Sequence, residues 1–377
     1  MTADFEYVDN EHTLRHLIEV LDTTDRVALD TEADSLHHYF EKVCLLQLTL
    51  GESHFILDPL VGLDLTEFLS HLAQHPLLFH GGEYDLRMMR ASMDFRPLNG
   101  MFDTLPAAQL LGCEQLGLAA LGEKYLGVTL SKQGQRSDWS RRPLTEAQLR
   151  YAADDTRYLM SLADILAKEL EALGRTEWHR EMCDRIVEFT QEEKAPVDPD
   201  RVWRVKGCRD LTDRQLAYVR ELWHWRDREA RAVDLPPFKV LGNQGILDLA
   251  LWASTSRSRD LRKGPKLPRT CVGPRLTSLQ KALADARNLP DDQLPNQPKS
   301  RGSRPVFGRE LDLIRAECDH IAAGLGIESS LIASRKTLET LSLQKPGSLD
   351  EVKQVGNLMS WQTRLIGPAI LAILQNI

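Results

Sequence analysis

At 377 residues the chain is too long for one ordinary hydrophobic core, and two or three domains are expected. Its 42% hydrophobic and 27% charged content is that of a soluble globular protein, and a formal net charge of −8 excludes polyanion binding by bulk attraction alone. No stretch approaches the roughly 18 apolar residues of a membrane span, no leader is evident, and six scattered cysteines without a Cys-x-x-Cys read as reduced thiols, so a cytoplasmic location is expected.

In chain order, Leu14, Leu17, Ile18 and Leu21 form a helical stripe over Glu11–Leu21. Val27–Asp34 reads as a strand, Val43–Leu50 as a second and His54–Leu57 as a third, with a turn at Gly51-Glu52-Ser53 and Asp58-Pro59 closing the meander. A helix is expected over Leu63–Ala73, a short buried strand over Leu77–His80, and a helix over Glu83–Ala91 after the break at Gly81-Gly82. Helices over Leu105–Leu111 and Leu118–Leu126 follow, and Thr145 with Gln148 makes a capping box for the helix bearing Tyr151 and Asp155. Meander first, then alternating helix and strand, predicts a mixed α/β layer.

Ala195-Pro196-Val197-Asp198-Pro199 reads as a linker. Beyond it the pattern is all-helical: Asp213–Ala232, Asn243–Ala253 and Gly273–Asn288, a proline-rich linker from Leu289 to Pro305, then Arg309–Leu325, Ser329–Ala333, Ser334–Leu343 and Trp361–Gln375. The two helical segments repeat one order of elements, each with a Gly-Pro near the start of its last helix, Gly273-Pro274 and Gly367-Pro368. The expected division is an α/β domain over 1–195 and two small all-α domains over 208–292 and 306–377. Charge is uneven: Leu251–Arg309 holds 13 Lys and Arg against 4 Asp and Glu, leaving −17 on the rest. An acidic part suited to metal joined to a basic part suited to phosphate fits a nuclease.

Asp30 and Glu32 stand at i, i+2 in a strand, so their carboxylates share a face while Leu29 and Thr31 point the other way. Alone they read as solvated acids at a strand end or as a cation site. Asp85 lies early in the helix after His80-Gly81-Gly82. Tyr151 and Asp155 at i, i+4 share a helix face, with Asp154 turned about 100° away. Asp30, Glu32, Asp85 and Asp155 carry the charge to hold two divalent ions about 3.5–4 Å apart, Mg²⁺ or Mn²⁺, and the Tyr151 phenol could orient an attacking water.

Leu29-Asp30-Thr31-Glu32, His80-Gly81-Gly82-x-x-Asp85 and Tyr151-x-x-x-Asp155 resemble, in order, the three motifs of the DEDDy 3′→5′ exonucleases. Gln135–Thr145 followed by Tyr151-Ala152-Ala153-Asp154-Asp155 resembles the ribonuclease D family in particular, and the helical repeat resembles two HRDC domains. The resemblance implies a ribonuclease H-like sheet, two metals, and release of nucleoside 5′-monophosphates from the 3′ end of RNA, with precursors of tRNA as substrate class and no obligate protein partner. It implies that Asp30 bridges both metals, that Glu32 binds one and meets the 3′-hydroxyl, that Asp155 holds the first and Asp85 the second, and that Tyr151 positions the nucleophile. Ala33–Tyr39 differs from the more aromatic and basic segment of the enterobacterial-type enzymes. It is expected beside the 3′-terminal nucleotide, making Leu36 and His37, with His80, Arg136 and Arg141, candidate substrate contacts. A DNA exonuclease with the same chemistry and an inactive RNA-binding scaffold are the alternatives.

Other residues have plainer readings. Asp103 is expected to cap the helix at Leu105, and Asp34 to serve a turn. His71 and His75, at i, i+4 without a third ligand, are expected on a solvated helix face. Trp223, Trp225 and Trp252 are expected to pack the first helical domain. Arg136, Arg141 and Arg142 are read equally as phosphate contacts or as a solvated loop. The basic run Arg257, Arg259, Arg262, Lys263, Lys266 and Arg269 is likewise read as an RNA contact or a solubilising loop.

Overall fold

The computed structural model describes residues 5–131, 134–135, 137–192, 198–296 and 308–375. The chain forms two compact units, one from Met1–Ala33, Lys42–Glu192 and Val306–Ile377, the other from Asp34–Glu41 and Glu193–Pro305. The predicted linker residues 195–197 and 297–305 lie outside the described residues.

The first unit is built on a mixed sheet of β1 (Glu6–Val8), β2 (Val27–Ala33), β3 (Val43–Leu50), β4 (Ser53–Leu57), β5 (Leu77–Phe79) and β6 (Met101–Asp103), in spatial order β1-β4-β3-β2-β5-β6. β2, β3 and β4 are the antiparallel meander, while β1, β5 and β6 pair in parallel. Every residue of β3 is buried, as a strand covered on both faces requires. β2 lies beside it with Asp30 opposite Gln47 and Glu32 opposite Leu45, and the register shifts between Glu32 and Ala33. β1 and β6 have three residues each, too few for a periodicity to show, and neither is evident from sequence.

Helices α1 (Glu11–Leu21), α2 (Thr66–Leu72), α3 (Glu83–Met93), α4 (Thr104–Leu110), α5 (Leu118–Leu126), α6 (Glu146–Arg157), α7 (Leu159–Ala172) and α8 (Thr176–Gln191) complete this part. α6 begins with the predicted capping box, Thr145 and Gln148 bonding reciprocally. It lies over β3 and β4, where Leu45, Ile56, Trp139, Ala152 and Ala153 bury one another. Thr156 of α6 shares a 2.9 Å hydrogen bond with Thr49 of β3.

In the second unit α9 (Asp213–Ala232), α10 (Pro237–Val240), α11 (Asn243–Thr255) and α12 (Pro274–Asn288) enclose a core containing Trp203 and Trp225, with Trp223 and Trp252 packed at its margin. The tryptophans therefore pack, as expected. Segment 34–41 belongs to this unit. Asp234 Oδ1 accepts from the amides of Tyr39 and Phe40, its Oδ2 meets the His38 ring at 2.7 Å, and Tyr39 Oη donates to Asp227 at 2.7 Å.

The last helices, α13 (Arg309–Leu325), α14 (Ser329–Ile332), α15 (Arg335–Gln344), α16 (Leu349–Gly356) and α17 (Ser360–Gln375), are part of the first unit. Trp361 stacks on Trp178 of α8 with centroids 4.8 Å apart, the Ser360 amide donates to Glu181 at 2.6 Å, and Arg175 donates to the carbonyls of Leu110 and Leu325. Gly112 meets this segment so closely that a Cβ there would fall 2.0 Å from the Gly326 carbonyl oxygen. The repeat is imperfect in one respect. Pro274 opens α12, but Pro368 lies inside α17, so the two Gly-Pro pairs are not equivalent. α16 is absent from the sequence reading, although Ser348 and Glu351 have the spacing of a helix start.

Candidate active site

β2 carries the first two acids, and its pairing explains the third. The parallel ladder with β5 ends at Ala28 opposite Leu78, so further along that edge β2 has no strand to accept its amides. Asp85 takes that place: its Oδ1 accepts from the Thr31 amide at 3.0 Å and the Thr31 hydroxyl at 2.6 Å. Asp85 is placed there by Asp103. The Asp103 carboxylate caps α4 through the Leu105 amide at 2.9 Å, and it also accepts from Gly81 at 2.7 Å and Gly82 at 2.9 Å. The turn is tight: Gly81 has φ +76°, and a Cβ on Gly82 would lie 2.4 Å from the Phe79 ring. Asp103 is thus the expected cap and also the clamp on the turn before α3.

α6 brings the remaining acid. Carboxylate oxygens of Asp30, Glu32 and Asp155 lie within 4.8 Å of one another, and among the described residues this is the only such acid, histidine or cysteine cluster. Tyr151 donates a hydrogen bond to Asp155, as their i, i+4 spacing allows. Asp85 stands outside that trio, yet its charge acts on Asp30, Glu32 and Asp155.

Burial, then the charges of Asp85, Asp155 and Glu32, raise the Asp30 pKa well above the carboxylate range. Burial and the same neighbours lift Glu32 to about 9. Burial lifts Asp155 to about 7 against the Tyr151 hydrogen bond, and lifts Asp85 to about 6 against the bonds from Thr31. The four carboxylates ionise together only where positive charge joins them. An all-oxygen donor set of clustered carboxylates fits a hard divalent cation such as Mg²⁺ or Mn²⁺. Tyr151 is pushed up by burial and then by Asp155, Glu32 and Asp30, so its phenol keeps its proton throughout the neutral range.

The loop before α6 crosses this tyrosine. Gly134 has φ +134°, and a Cβ there would come within 2.8 Å of Tyr151 Cγ. The buried Trp139 ring lies 6.0 Å from the Tyr151 ring. An open cavity of about 480 Å³ is lined by Gly134, Ser137, Asp138, Arg141, Pro143 and Gln148, among others. Arg141 is largely exposed there and pairs with Asp138 at 2.9 Å. Arg142 is tied into the fold rather than carried on a solvated loop. Its guanidinium grips the fully buried Asp58 at 2.5 and 2.6 Å and donates to the carbonyls of Cys44, Trp139 and Arg141. Tyr7 donates to the same carboxylate at 2.5 Å.

The other expected contacts fall in several places. His80 Nδ1 meets Thr104 Oγ1 at 2.9 Å, and burial lowers its pKa to about 4, so it is neutral at pH 7 and offers a substrate hydrogen bonding rather than charge. Leu36, exposed, and His37, whose Nδ1 is 3.5 Å from Lys239 Nζ, belong to the second unit. Arg136 lies outside the described residues. His71 pairs with Asp22 at 2.6 Å on an exposed helix face. Sequence reasoning missed Asp58 with Tyr7, the Thr31 clamp on Asp85, and Gln47. Only Gln47 carried a signal, as an amide within a strand whose other residues, Thr49 apart, are apolar.

The chain matches known families and structures over nearly its whole length. The family described as 3′-5′ exonuclease matches residues 5–171, and the HRDC domain family matches 215–260 and 310–374. A ribonuclease D of Gluconacetobacter diazotrophicus is 30% identical over 96% of this chain and 90% of its own length. The crystal structure of Escherichia coli RNase D, described as an exoribonuclease involved in structured RNA processing, aligns with TM-score 0.74 at 27% identity over 99% of each chain. A protein from Bifidobacterium adolescentis aligns with TM-score 0.81 at 25% identity over 99% of this chain and 97% of its own.

Proposed function

The chain belongs to the ribonuclease D family and is a 3′→5′ exoribonuclease, and from that premise we propose how its residues work and on what. Asp30, Glu32, Asp85 and Asp155 hold two divalent cations, Mg²⁺ or Mn²⁺. The observation that carries this is the trio Asp30, Glu32 and Asp155, whose oxygens converge within 4.8 Å. When bound, such ions neutralise charge developing on the phosphoryl oxygens and lower the pKa of the attacking water. Tyr151, held by Asp155 and kept protonated, orients that water as a hydrogen-bonding partner rather than as a base. Glu32 meets the 3′-hydroxyl of the terminal nucleotide, and the product is a nucleoside 5′-monophosphate. Leu36, His37, His80, Arg136 and Arg141 contact the departing end of the strand.

The substrate is structured RNA, such as tRNA precursors, processed in the cytoplasm without an obligate protein partner. Among the described residues no helix is long and apolar enough to cross a membrane. We assign the exonuclease domain to 1–195 and the HRDC-like domains to 208–292 and 306–377. The two HRDC-like domains dock the body of the RNA. Supporting this, Arg257, Arg259, Arg262, Lys263, Lys266 and Arg269 are all exposed, and among the described residues only Arg262 of these pairs with a carboxylate, Asp260. The loop that presents them is anchored through buried Leu261 and Cys271, so it is not a loose solubilising tether.

Matched RNA and DNA strands labelled at the 3′ end, incubated with and without EDTA, test the reading. Release of labelled mononucleotide from RNA, abolished by EDTA, is the expected result. Preference for DNA would replace the substrate, and binding without release would make the chain a scaffold.

A further inference from the structure

β3 is buried from end to end, and eight residues supply two polar side chains, Gln47 and Thr49. Thr49 is satisfied, its hydroxyl lying 2.9 Å from both His54 Nδ1 and Thr156 Oγ1. Gln47 is not. It is fully buried, and neither its Oε1 nor its Nε2 has a hydrogen-bond partner among the described residues. A buried amide left unpartnered costs stability that leucine or methionine, of similar volume, would avoid. Buried polar groups of this kind point to a role that packing does not supply.

The register says where the amide sits. Gln47 is directly opposite Asp30 on β2 and Ile56 on β4. Directly opposed residues on neighbouring strands share a face of the sheet. Residues two apart on β3 share it as well, which places Leu45, Gln47 and Thr49 together. That is the face covered by α6: Thr49 bonds Thr156, while Leu45 and Ile56 pack with Ala152, Ala153 and Tyr151. Gln47 therefore lies on the floor between the strand that bears Asp30 and the helix that bears Asp155.

We propose that Gln47 is a positioning residue for the cation site: unpartnered in the metal-free fold, its amide donates to the Asp30 carboxylate once a cation is bound and fixes the orientation in which that carboxylate binds metal. This rests on the metal-site reading above and deepens it. Carboxylate ligands are oriented by hydrogen bonds from behind, and loss of such a partner typically weakens metal affinity about 10–100-fold. Gln47 does not touch RNA or the reacting atoms, so its removal acts on cation binding and leaves RNA recognition alone.

The test uses the full chain with Gln47→Leu and Gln47→Met, titrated with Mn²⁺ by calorimetry, alongside thermal melts in EDTA. Both variants are expected to melt in EDTA at or above the parent temperature, because an unpartnered amide has been removed. Mn²⁺ affinity is expected to fall about 10–100-fold. The Mn²⁺ concentration giving half-maximal nucleotide release should rise in proportion, with KM for RNA unchanged and kcat largely recovered at saturating Mn²⁺. Unchanged Mn²⁺ affinity in both variants overturns the proposal, as does a melting loss in EDTA with affinity intact, which marks a packing role. If the parent chain binds no Mn²⁺ at all, the metal-site reading itself fails, an outcome distinct from either.

Discussion

Replacing Arg142 with methionine separates a structural role for this arginine from a phosphate-binding one. The substitution keeps an apolar stem and leaves Asp58 as a fully buried carboxylate facing only Tyr7 and the Leu60 amide. Removing one partner of a buried ion pair costs about 3–5 kcal/mol. The Arg142 side chain is 25% exposed, so the low end, about 3 kcal/mol, is expected. For a unit of this size that corresponds to roughly 6–12 °C in melting temperature. The Asp58 pKa is lowered because bonds from Arg142, Tyr7 and Leu60 outweigh the upward push of burial. A carboxylate depressed in the fold contributes stability above its unfolded pKa of about 3.9 and loses it as pH falls through the folded value. The gap between parent and variant should therefore be full at pH 7 and close in acid. Adding Asp58→Asn to Arg142→Met removes the stranded charge and should recover part of the loss. Thermal melts from pH 7 downward measure all of this. An unchanged melting temperature with a raised KM for RNA would refute the reasoning and return Arg142 to the phosphate backbone.

Asp30→Asn and Asp155→Asn should each cut nucleotide release on the order of 10³-fold, the effect of several kcal/mol of cation stabilisation. Both should melt no lower than the parent in EDTA, since each relieves repulsion in the cluster, and near-normal release from either would exclude the cation site. Tyr151→Phe should lower kcat by about 10–100-fold with little change in RNA binding. The parent's pH profile should show no ionisation of Tyr151, because the phenol stays protonated; an unchanged kcat in the variant would remove the tyrosine's role. Glu32 near 9, Asp155 near 7 and Asp85 near 6 are raised above their unfolded values, so the metal-free fold binds protons more tightly than the unfolded chain. His80 and His179, held neutral by burial, add stability as pH rises towards their unfolded value near 6.5, so the decline should show from about pH 7 towards 9. Divalent metal should reverse the decline and displace protons at pH 7, seen as buffer-dependent calorimetric heats. A melting temperature in EDTA that rises over this window would contradict the assignment.

What sequence revealed depended on how far each cause reached along the chain. Tyr151 and Asp155 were legible because helical spacing fixes a shared face within one turn. Asp30 with Glu32 was legible for the same reason in a strand, and the ordered motifs tied them to Asp85. The clamp of Thr31 on Asp85 was not, because it depends on the β5 ladder stopping at Ala28, a property of pairing between distant segments. The pairing of Arg142 was not legible because its partner Asp58 lies 84 residues away and looks from sequence like the acid of an Asp-Pro turn. Gly273-Pro274 and Gly367-Pro368 were read as matching marks of a repeat, yet Pro274 opens α12 while Pro368 sits within α17, a difference set by where each helix begins. Gln47 was visible as a polar letter in an apolar run, but its meaning required the register that sets it opposite Asp30.

The stack of Trp361 on Trp178 has a consequence for how the protein is made. α8 ends at Gln191 and α17 begins at Ser360, so about 170 residues must be translated between the completed α8 and the helix that brings Trp178 its partner. At ordinary ribosomal rates of about 5–20 residues per second that is a delay of roughly 8–34 s. Throughout it the sheet and its acids have emerged, while Trp178 and Met182 lack the apolar cover that α17 supplies. A message cut short before α17 would yield a chain with that cover permanently missing, the kind of surface that chaperones and proteases recognise.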